Sequence, residues 1–202
     1  MFIADVDQAL EQLVRERLPL PHDIGDVSFE PPNETWSASL SRLTINMFLH
    51  QVSRSTQPGR APILREGESD GDRGFRRKAL PMIELSYLVS AYAGSPRDEH
   101  QLLGSAVSLF AGVGTLPPEL TPPTLNSTVS IVLGDEIKPR EVWQGVGGKL
   151  KASLIIRANV AADTWDWERQ APPVENVSVL SAPNEDGAAR GPLAPNWPSP
   201  RR

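Results

Sequence analysis

Between residues 3 and 18 the apolar positions recur every three or four residues. Ile3, Val6, Leu10, Leu13, Val14 and Leu18 share one face, with Glu11, Gln12, Arg15 and Glu16 opposite. That spacing predicts an amphipathic helix. Pro19 and Pro21 end it, because proline lacks the amide the next turn needs. Residues 27–29 then predict a short strand before the Pro31-Pro32 break.

The period changes to two at 43–52. Leu43, Ile45, Met47 and Leu49 alternate with Thr44, Asn46, Phe48 and His50, the pattern of a strand with one buried face. Residues 82–93 alternate again. Ile83, Leu85, Tyr87, Val89 and Ala91 are expected to face the core helices. Met82, Glu84, Ser86, Leu88 and Ser90 form a mixed face, expected to meet water or a neighbouring subunit. Residues 150–160 predict a third long strand. The apolar run 129–133 fits a short strand or one side of a helical turn. Between these strands, residues 54–78 carry almost no periodicity and predict a long mobile loop, a class that is often functional.

Residues 87–104 read YLVSAYAGSPRDEHQLLG. Ser95 suits a helix N-cap, Pro96 the first helical position, and Asp98 completes a Ser-x-x-Asp box. The helix predicted there has Leu103, Val107 and Phe110 on one stripe, flanked by Leu102, Ala106 and Leu109. It stops by Gly112 or Gly114. Residues 115–125 hold four prolines, which exclude regular structure. Residues 139–146 predict a short helix with Trp143 on its inner face. The expected class is α/β (α+β): a small mixed, largely antiparallel sheet with helices on one face. Residues 1–165 are the expected domain. Residues 166–202 are Pro-rich and expected to be a disordered or partner-binding tail. Within it, 174–180 (VENVSVL) is an ordinary edge strand or plain tail, or else a strand that adds to a partner's sheet edge.

Composition narrows the function classes. The 202 residues carry a net charge of −5, a poor basis for general nucleic-acid binding. The one basic cluster, Arg73, Arg76, Arg77 and Lys78, falls in the loop, where it is a solvated stretch or a docking patch for an acidic partner. There are no cysteines, which excludes disulfides and thiolate metal sites. No apolar run of about 18 residues occurs, so no membrane span is expected. The first residues lack a signal-peptide pattern, and the expected location is cytoplasmic.

Reaction chemistry is hard to find. His22, His50 and His100 have no metal-ligand spacing, so no metal or cofactor is expected. Asp98-Glu99-His100 opens a helix, where acids complement the positive end of the dipole; capping is the expected role. A dispersed hydrolase site built on those three is the enzymatic alternative. QGVGGKL (144–150) lacks the first glycine and the final Ser or Thr of a phosphate loop, so Gly145, Gly147 and Gly148 are expected to form a turn. Trp165 and Trp167 alternate as strand residues do, for packing or a protein interface.

The order of features resembles the tail terminator, or cap, family of phage-tail-like contractile injection systems. The resemblance rests on Tyr87-Leu88-Val89-Ser90-Ala91-Tyr92 followed by His100-Gln101-Leu102-Leu103-Gly104, and covers roughly residues 2–162. It implies a non-enzymatic ring, commonly of six subunits, that ends inner-tube and sheath growth and couples the last sheath ring to the tube. It supplies no catalytic residues. A strand–helix corner is the expected centre: Tyr87 and Val89 packed under the helix, Tyr92 at the strand end, Ser95 capping, His100 hydrogen-bonded near the cap, Gly104 close against the sheet. Val177 and Val179 are expected partner contacts. The rival reading is a non-enzymatic adaptor that binds through its edge strands and tail.

Overall fold

The computed structural model describes residues 2–18, 20, 23–59, 64–65, 75–76, 79–125, 127–134, 138–162 and 168–169. Helix α1 (Phe2–Arg17) follows the predicted spacing and buries Val6, Ala9, Leu10, Leu13 and Val14. Strand β1 (Gly25–Ser28) and helix α2 (Glu34–Ser39) come next. The periodicity gave no sign of α2, which has only six residues and is set by its cap: the Asn33 Oδ1 accepts from the Trp36 amide at 2.8 Å.

Strands β2 (Leu43–Arg54) and β5 (Met82–Tyr92) pair antiparallel, Met47 opposite Val89 and Leu49 opposite Tyr87. His50 is the extra residue of a bulge between Leu49 and Gln51. Helix α3 (Pro96–Gly112) leads through a 3-10 turn at Pro118–Leu120 to β6 (Ser130–Gly134), which resolves the strand-or-turn choice as strand. Helix α4 (Pro139–Val146) and β7 (Ser153–Ala161) complete the main layer. The sheet order is β1-β2-β5-β7-β6, with only the β1–β2 pair parallel.

Class and sheet agree with the expectation; the placement of every helix on one face does not. Residues of α1 and α3 share a core with Ile45, Met47, Leu85, Tyr87, Val89, Ile156 and Ala158. On the opposite face, Leu88, Tyr92 and Ile155 meet Trp143 of α4 and Trp36 of α2. Leu88 and Ser90 are therefore buried inside the chain, not turned to water or a neighbour, and Thr44 and Asn46 are buried with them. Asn46 settles its amide on the Glu30 carbonyl at 3.0 Å.

The stripe on α3 is shifted by one position. Leu102, Ala106 and Phe110, four apart, form its buried centre, while Val107 is exposed. Of the 54–78 segment, residues 54–59, 64–65 and 75–76 are described. It contributes β3 (Leu64–Arg65) and β4 (Phe75–Arg76), and β4 also pairs with β8 (Glu168–Arg169). Strands of two residues are too short to leave a period in the sequence.

Candidate functional site at the strand–helix corner

The C-terminal end of β5, the start of α3 and the segment before β7 converge at one end of the sheet. Ser95 caps α3 as expected. Its Oγ accepts from the Asp98 amide at 3.2 Å and donates to the Asp98 Oδ2 at 2.7 Å. Tyr87 is buried in the main core, its hydroxyl donating to the Asp7 Oδ1 of α1 at 2.7 Å and its ring meeting Phe29 edge-on. Burial pushes the Tyr87 hydroxyl's pKa up, and the Asp7 charge adds to it. Burial also raises the Asp7 carboxyl, with the tyrosine hydrogen bond pulling the other way. The phenol thus stays protonated as a donor, locking α1 to the sheet. Val89 lies in the same core.

Tyr92 points to the opposite face. Its ring packs edge-on against Trp36, with centroids 5.1 Å apart, and the Lys151 ammonium sits 3.8 Å above its centre. Lys151 also donates to the Ala91 carbonyl at 2.8 Å and to the Glu99 Oε1 at 2.7 Å. One cation thereby ties the strand end, the first turn of α3 and the entry to β7. Sequence reading missed Lys151 and Trp36, because these contacts cross more than fifty positions of chain and carry no local pattern.

The other expected residues divide. Asp98 pairs with the Ser95 cap, Glu99 is held by Lys151, and the His100 side chain is exposed and has no hydrogen-bond partner among the described residues, in place of the expected bond near the cap. The three adjacent residues do not form one constellation. Gly104 is corrected more sharply. A Cβ there meets nothing within 4 Å, because Gly104 follows the buried Leu102 by two positions and so points away from the sheet. The close approach is made by Gly148, where a Cβ would collide with the Pro32 carbonyl and the Trp143 ring. Gly147 turns the chain with φ of 68°, as the expected turn requires, whereas Gly145 belongs to the last turn of α4. Trp143 is inward as expected, its Nε1 donating to the Ser153 Oγ at 2.9 Å.

A cleft of about 480 Å³ opens here, lined by Leu40, Arg42, Tyr92, Trp143, Leu150 and Lys151 among others. Leu150 is 64% exposed on its rim. Among the described residues no cluster of His, Asp or Glu has metal-binding geometry, and no helix is long and apolar enough to cross a membrane. Arg76 falls in β4, while Arg73, Arg77, Lys78, Val177, Val179, His22, Trp165 and Trp167 lie outside the described residues.

The fold is shared with solved structures. A cryo-EM structure of the sheath/tube terminator of PVC, an extracellular contractile injection system, in its extended state, superposes with a TM-score of 0.63 at 21% identity. The tube-terminating cap of the anti-feeding prophage gives 0.61 at 17% identity. The matches cover 89% and 88% of this chain but 63% and 61% of those chains, so this chain spans about three-fifths of their length. No curated protein matches. The family profile described as the Pvc16 N-terminal domain aligns with residues 5–176, and the chain belongs to that family.

Proposed function

We propose that the chain is a structural cap, the terminator of a contractile injection system. It ends inner-tube and sheath assembly and couples the last sheath ring to the tube, so that sheath shortening becomes tube thrust. The family match over residues 5–176 is the observation that carries this reading. The terminator and cap that share the fold support it.

Physical chemistry is compatible with such a role. A small domain can tile a ring through heterologous contacts that close by rotation, here with six copies. Each contact can be weak, since linked contacts act together through effective concentration. The corner suits mechanical duty: Glu99, Lys151, Tyr87 and Trp143 are engaged in bonds that join elements, and Ser95 and Asp98 fix the start of α3. The cap works without turnover, is assembled in the cytoplasm, and uses residues 1–165 as its body and 166–202 as a partner-binding tail. Arg73, Arg76, Arg77 and Lys78 add a basic docking patch.

Electron microscopy of particles from a strain lacking the chain tests this. Tubes or sheaths of uncontrolled length, or no intact particles, are expected. Particles of normal length that still contract and fire would overturn the reading.

A further inference from the structure

Strand β6 is the outermost strand of the main sheet, and its outer side is covered along half its length. Leu116 donates to the Val129 carbonyl at 2.9 Å, and Ile131 donates to the Gly114 carbonyl at 3.1 Å. The ladder alternates, so the next outward-facing residue is Leu133. Its amide and carbonyl have no backbone partner among the described residues. Here the edge is also apolar. Val132 is 44% and Leu133 38% exposed, on opposite faces of the sheet. Natural sheet edges are commonly guarded by charge, proline or a covering segment; residues 132–134 carry no charge or proline, and among the described residues no backbone pairs with Leu133 from outside.

The faces flanking that edge differ in chemistry. Leu133 shares a face with Ile131 and Ile156, on the side of α1 and α3. Val132 shares the other with Arg157, whose guanidinium lies 3.6 Å from the Glu84 carboxylate, and with Ser86. An occupant must therefore be apolar on one side and polar on the other. Residues 174–180 read VENVSVL; the central four place Val177 and Val179 on one side and Asn176 and Ser178 on the other, with Glu175 flanking the first side and Val174 and Leu180 the second.

We propose that residues 174–180 of a neighbouring copy add as a strand to the free edge of β6, with Val177 and Val179 on the Leu133 side. This deepens the ring reading and rests on it. The arm leaves from β8: five positions separate Arg169, paired with Phe75, from Val174, a span of up to about 18 Å when extended. A strand donated by one copy to the next is a heterologous contact, the kind that closes into a ring.

The absence of cysteine makes the test clean. Full-length L133C is mixed with V177C, and separately with V179C, and oxidised. Opposed residues of adjacent strands lie within disulfide range. A 133–177 or 133–179 dimer is expected, and none with I24C, whose exposed site adjoins the other edge of the sheet. Leu133→Pro removes the outward amide and leaves the inward ladder bonds of Val132 and Gly134, so the chain is expected to keep its fold by circular dichroism while self-association weakens about tenfold. No mixed dimer, or a disulfide formed only within one chain of a double variant, overturns the contact. Binding of the same chain to tube ends is measured alongside. Capped tubes without the mixed dimer would sink the contact alone, whereas a chain that forms the dimer but never caps a tube would sink the cap reading.

Discussion

The two faces of the main sheet are built to different ends. One is a continuous apolar layer joining α1, α3 and the inward residues of β2, β5 and β7. The other is divided. Near the corner, a small aromatic cluster of Tyr92, Trp143 and Trp36 covers it. Further along, the face turns polar around Glu84, Ser86 and Arg157. Large apolar area confers stability without directional preference, whereas ring geometry, caps and a held lysine set positions. The first face therefore makes the domain fold, and the second orients the end that carries the cleft.

Substitutions can separate those roles. The largest effect is expected from Phe110→Ala on the first face. It should cost about 3–5 kcal/mol in urea unfolding, since Phe110 is buried in the centre of the α3 stripe. A cost below that of any change in the aromatic cluster would reverse the comparison.

Gly148→Ala comes next, at about 1–3 kcal/mol, because its methyl group must displace the Pro32 carbonyl or the Trp143 ring. Near-ultraviolet circular dichroism should change with it, reporting the reoriented tryptophan. Trp143→Phe retains most of the apolar area but loses the bond to Ser153, for about 1 kcal/mol. If it unfolds the chain outright, the cluster is core and not a positioning device.

Gly104→Ala should act in the opposite direction. Space is open there and the backbone is helical, so replacing glycine stabilises by about 0.5–1 kcal/mol. Destabilisation of the isolated chain would restore the close-packing expectation.

The gentlest effect is a slope with pH. Burial holds the His50 imidazole below its usual value of 6.5. The unfolded chain therefore takes up that proton first. Stability present above pH 6.5 is lost as pH falls below it and down through the lowered folded value. In His50→Gln the melting point should lose this part of its pH dependence.

Several elements could be read directly from the chain. Ser95, Pro96 and Asp98 announce the start of α3 because capping is local chemistry between residues three apart. The alternation of Ile83, Leu85, Tyr87 and Val89 announces both the strand and its core face. The motif spanning Tyr87 to Gly104 pointed to the terminator family that the fold and the family match support. Other features left no such trace. Helix α2 depends on one asparagine cap and six residues. The cover it places on Leu88 was invisible, so that face was assigned to solvent or a neighbour. Gly104 lies within the motif, yet Leu102 and Ala106 set the helix's rotation, and Gly104 points outward.

Periodicity and capping alone determined the class, the long strands and helices, and which face of β5 meets α1 and α3, because these depend on spacings of two to four residues. Folding in three dimensions settled the second covered face, the role of Gly148 and the grip of Lys151 on Ala91, Glu99 and Tyr92. Those contacts join residues more than fifty positions apart along the chain, and more than a hundred in the case of Gly148 and Pro32, and a side chain's partner at that distance depends on how whole elements cross.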